Sequence, residues 1–66
     1  MKQVLQILNS MLKEKELTNN LLKAGKDSVF FQTDYPEIHK NLDEGIKNNE
    51  ILIEQLKDAI DVLESV

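Results

Sequence analysis

Cysteine, arginine and tryptophan are missing from this 66-residue chain, and histidine, proline and tyrosine occur once each. Without cysteine there can be neither a disulfide nor a thiolate metal site. With one histidine, His39, a four-ligand structural zinc site is out of reach. Two glycines make no Gly-rich phosphate loop. The lack of arginine, together with a net charge of −4, argues against nucleic acid as a partner, because phosphate recognition favours a basic face and the bidentate guanidinium fork. No apolar run approaches the roughly 18 residues that span a bilayer. The stretch from Met1 to Met11 has a lysine followed by apolar residues, but Gln3, Gln6, Asn9 and Ser10 interrupt it. Lys13 to Glu16 then follow with no small-residue cleavage site, so it does not read as a signal sequence. The expectation is a cytoplasmic protein, in keeping with the missing cysteine.

A chain this short makes one domain, residues 1–66, with a core too small for comfort. Small scaffolds gain stability from disulfides, metals or partner chains. The first two are excluded, which leaves oligomerisation or partner binding.

What is present is a heptad seam from Ile38 to Val66, on a helix expected over about residues 36–65. Ile46, Ile53 and Ile60 fall seven apart, following His39 at the same heptad position, a. Leu42, Asn49, Leu56 and Leu63 occupy position d, with Asn49 where a leucine is expected. Gly45, Leu52, Ala59 and Val66 at position g widen the strip beyond a two-stranded seam, which suits a bundle or hairpin. Ile51 falls on the outer face. The seven residues Leu42, Ile46, Asn49, Ile53, Leu56, Ile60 and Leu63 form the expected oligomer interface.

Residues 2–24 read as a second long helix. Val4, Leu5, Ile7, Leu8, Met11 and Leu12 recur at three- and four-residue spacing. Leu17 and Leu21 then point to one side while Leu22 returns, a stutter in the seam. Ala24-Gly25 reads as the stop, with Gly25 in the left-handed position past the helix end and Lys23 and Lys26 at its negative pole. The 11-residue connection, 25–35, holds every aromatic: Phe30, Phe31 and Tyr35. These can plug the open end of the helix pair or form an aromatic patch that contacts a partner. Val29–Thr33 fits either a short extended edge or one helical turn capped by Ser28. Asp34 followed by Glu37 has capping-box spacing, and Pro36 is tolerated in a first helical turn.

A short connection makes consecutive helices antiparallel neighbours. Placing Ala24 opposite Pro36 sets Met11 by Asn49, Leu8 by Leu52, Val4 by Leu56 and Lys15 by Gly45. It leaves Ile60 to Val66 overhanging and in need of cover. Charge agrees with this orientation: residues 1–26 carry five lysines and two glutamates, and residues 27–66 carry three lysines and ten acids. Asp58, Asp61 and Glu64 crowd a helix C-terminus, where the macrodipole disfavours them, but beside Lys2 and the first helix's positive pole they become favourable. Two such hairpins would make a dimeric four-helix bundle. Asn49, Thr18 and Lys15 are the polar residues nearest the seam, and a buried Asn there can fix register.

The sequence therefore predicts an all-α, antiparallel two-helix hairpin with no catalytic constellation, no cofactor and no metal set. His39 and Asp43 share a helix face, but one histidine and a carboxylate make a poor ligand pair. The class that fits is a homo-oligomeric protein–protein interaction module: adaptor, small regulator, inhibitor or chaperone-like. The alternative is a nucleic-acid-binding regulator built on a hairpin dimer, resting on the lysine excess of the first helix.

Overall fold

A computed structural model describes residues 2–65. They form α1 (Lys2–Lys26), α2 (Val29–Asp34) and α3 (Pro36–Glu64). The two long helices pack along one another into a rod of 50 × 14 × 12 Å. Its radius of gyration is 15.1 Å, against about 11 Å for a compact domain of this length. No described helix is long and apolar enough to cross a membrane.

The local chemistry of the connection differs from expectation in three ways. First, α1 runs through Gly25 to Lys26, and Gly25 is not in the left-handed region. Its value is space: a Cβ at Gly25 would lie 3.2 Å from Leu42 Cδ1. Second, of the two readings of Val29–Thr33 the helical one holds, as a helix over residues 29–34, but without its expected cap. Ser28 precedes it with extended backbone but makes no side-chain cap, and the Thr33 hydroxyl donates to the Val29 carbonyl instead. Third, Asp34 belongs to α2, so the capping box to Glu37 does not form. Tyr35 stands between the helices: its N–H donates to Phe31 O at 3.2 Å, and its carbonyl accepts from His39 N at 3.1 Å. Pro36, which lacks an N–H, opens α3 at no hydrogen-bonding cost. At the other end Ser65 closes α3, both its N–H and its hydroxyl donating to Asp61 O.

The register also differs, by one heptad. Gly45 lies beside Leu22, whose Cδ1 would be 3.4 Å from an added Cβ, and not beside Lys15. Stepping a heptad at a time from this contact puts Lys15 level with Leu52 and Ile53, and Leu8 level with Ala59 and Ile60. The expected overhang is thereby removed as far as the described residues run: Ile60 is 6 % exposed, as buried as Ile46. Val66 lies outside them. The α1 seam is the regular series Leu5, Leu8, Leu12, Lys15, Asn19, Leu22, all half-buried or buried. There is no stutter. Leu17 and Leu21 point to solvent, and polar Lys15 and Asn19 hold the seam positions in that stretch.

Gly45 sits in mid-helix, where glycine is about 1 kcal/mol less favourable than alanine. The nearest atom to an added methyl is the movable end of Leu22. Gly45→Ala is therefore expected to raise the urea midpoint, by about 0.5–1 kcal/mol in stability at unchanged m-value. A lowered midpoint would mean that the helices meet more closely at Gly45 than this register allows.

Candidate functional site

The seven expected interface residues all lie on the α3 face turned to α1. Ile46 and Ile60 are buried there, and Leu42, Asn49, Ile53, Leu56 and Leu63 are half-buried. The seam is thus occupied by the chain's own first helix, yet most of it stays partly open because two helices cannot cover it from both sides.

The two flanks of the seam differ sharply. On one, Lys26 Nζ donates to Asp43 Oδ1 at 2.6 Å, Lys47 lies 3.3 Å from the same carboxylate, and Lys23 is 3.8 Å from Glu50. A groove between the helices on this side is lined by Glu16, Asn20, Lys23, Glu50 and Glu54, with Asn19 and Ile53 at its floor. The two cross-helix pairs, Lys26–Asp43 and Lys23–Glu50, lie towards the connection, whereas the expected attraction centred on Asp58, Asp61 and Glu64 near Lys2. Asp43, the carboxylate that shares a face with half-buried His39, is thereby taken up by two ammonium groups.

On the other flank the helices carry almost no charge. From α1 it takes Val4, Ile7, Met11, Thr18 and Leu21, with Glu14 as the exception. From α3 it takes Ile38, Gly45, Leu52, Ala59 and Val62, among the amides Asn41, Asn48 and Gln55. Val4, Ile7, Met11, Leu21, Ile38, Leu52 and Val62 are all exposed. Leu17 and Ile51 are exposed on the outer faces.

At the tip, Phe30, Phe31 and Tyr35 cluster with ring centroids 5.2–6.4 Å apart in edge-on or tilted pairs. Each such contact contributes about 0.5–1.5 kcal/mol beyond burial. Phe31 is half-buried, while Phe30 and Tyr35 are about half exposed. One ring is turned inward and two remain available at the surface.

Asn19 was not among the residues that composition and spacing brought forward, and Thr18, which was, is exposed. Asn19 is 5 % exposed, and its Oδ1 has no hydrogen-bond partner. The register sets it level with Asn49. The signal that could have found it is the exact heptad step Leu5, Leu12, Asn19.

The hydrogen bond from Lys26, then that from Lys47, holds the Asp43 carboxyl below its ordinary 3.8, against an opposing effect of burial. Reciprocally, the hydrogen bond to Asp43 raises the Lys26 ammonium above 10.5. A depressed carboxyl pKa stabilises the fold above its unfolded value, and that stabilisation is lost as pH falls through the folded value. A raised lysine pKa stabilises below its unfolded value and loses this as pH rises through the folded one. Asp43→Asn should therefore lower the thermal midpoint at neutral pH, and the difference from the parent chain should shrink below about pH 4. Parallel melting curves of the two chains down to strongly acidic pH would show that the pair contributes nothing.

No family model, curated protein or solved structure matches the chain.

Proposed function

We propose that this chain is a small non-enzymatic protein–protein interaction module that works as a homo-oligomeric helical hairpin, two copies forming a four-helix bundle. It belongs to the adaptor, regulator, inhibitor or chaperone-like class. The observation that carries this reading is unsatisfied apolar surface. Among the described residues only Ile46, Ile60 and Asn19 are buried, while a dozen large apolar side chains are exposed. The chain exposes 5118 Å². A compact monomer of its 7.6 kDa mass would expose about 4,300 Å². The excess of about 800 Å² is what a standard interface removes from each partner.

The tip aromatics Phe30 and Tyr35, with Phe31 behind them, are the contact assigned to a different protein, since exposed aromatics make effective binding anchors. A cytoplasmic location goes with this reading and is supported by the cysteine-free composition. Sedimentation equilibrium of the intact chain tests the assembly: a dimer at micromolar concentration is the expected result, and a stable monomer there would refute it.

A further inference from the structure

The flanks on either side of the seam are chemically unlike, and a second copy can use only one of them well. We infer that the uncharged flank, centred on Val4, Met11, Leu52 and Ala59, is the surface on which a second copy of this chain docks, with the ion-paired flanks turned outward. This rests on the homo-oligomeric reading and adds to it the face and the occupant.

A two-fold interface brings the same patch of each copy together, so the patch must be complementary to itself. An apolar strip meets that condition. The opposite flank does not: joining two copies there would desolvate Lys23, Glu50 and Asp43 on both sides, at a cost that Coulomb attraction seldom recovers. The uncharged strip is also continuous with the half-buried seam positions. On α1, Val4 and Met11 stand beside Leu8, and on α3, Leu52 and Ala59 stand beside Leu56 and Leu63. Covering the strip would also cover the seam positions next to it, as in the wide apolar face of a bundle helix. Ala59, a small residue on this side, lets a neighbouring helix approach closely. The surplus surface of about 800 Å² per chain is of the size that one partner contributes to a standard interface.

The test uses the full chain and four variants. Leu52→Glu and Met11→Glu each place a charge on an exposed position of the flank. Each should weaken dimerisation by about 30-fold or more, measured by sedimentation equilibrium. Because the chain has no cysteine, single thiols give a second readout that leaves the interface chemistry nearly intact. The thiol of Met11→Cys should be alkylated more slowly as protein concentration rises through the dimer range. That of Lys57→Cys, one heptad on from Glu50 on the charged flank and exposed, should react at a concentration-independent rate. A parent dimer that both glutamate variants match in affinity, with protection at Lys57→Cys and not at Met11→Cys, would overturn this assignment and leave the homo-oligomer standing. A parent chain that stays monomeric throughout would overturn both.

Discussion

Ile46→Asp is expected to abolish the folded hairpin, reducing the far-UV helical signal to that of a largely unfolded chain. Ile46 is buried in the α1–α3 seam, and the α1 lysines on the neighbouring turns, Lys23 and Lys26, are already engaged with Glu50 and Asp43. Deleting a buried isoleucine side chain costs about 2–5 kcal/mol. Placing an unpaired charge in the same position adds several more unless the group takes up a proton. A two-helix unit of this size has about 3–5 kcal/mol in total to lose. Ile51→Asp makes the contrast: its side chain is 57 % exposed on the outer face. It should change stability by no more than about 0.5 kcal/mol. Urea titrations of the two variants read the difference, and equal helicity in both would place the seam elsewhere.

Asn19→Leu is expected to act in the opposite direction. The Asn19 amide is buried with its carbonyl oxygen unpartnered, and an unmet acceptor costs about 1–3 kcal/mol. An apolar side chain of similar size removes that penalty and continues the series Leu5, Leu12 at the same seam position. The urea midpoint should rise by an amount corresponding to about 1–3 kcal/mol. Something is lost with it. A polar residue in a heptad seam discriminates between registers that apolar residues satisfy equally well. With Asn19 gone, the arrangement one heptad away, with Lys15 beside Gly45, becomes a closer competitor. A single set of amide resonances in the parent chain, doubled in the variant, would display that. A variant no more stable than the parent would mean that the Asn19 oxygen is already satisfied by water.

This competition also explains which parts of the fold were legible in the sequence. The α3 seam was plain because Ile46, Ile53 and Ile60 repeat without interruption and Pro36 marks its start. Antiparallel pairing followed from the short connection. The register did not, because a seven-residue repeat looks the same after sliding by seven. The broad apolar face of α1 added to this, since Val4, Met11 and Leu8 form one possible line and Leu5, Leu8 and Leu12 another. What separates them is Gly25 against Leu42 and Gly45 against Leu22, contacts between residues far apart in the chain. Gly25 misled for a related reason. Glycine signals a helix end through its torsional freedom, but here it is used for the missing side chain, and the two uses look identical in sequence. Of the surfaces, the aromatic tip could be located in advance, but the division of its rings between inside and outside depended on α2 forming. The uncharged flank became visible only once the seam on both helices had been fixed.

The clustering of all three aromatic side chains at one end of the rod has an optical consequence. Circular dichroism in the near ultraviolet can arise only from residues 30–35, while the amide signal comes almost wholly from α1 and α3. The molecule thus carries separate reporters for its tip and its shaft without any label. Melting curves that coincide at the two wavelengths would mean that tip and shaft come apart as one cooperative unit.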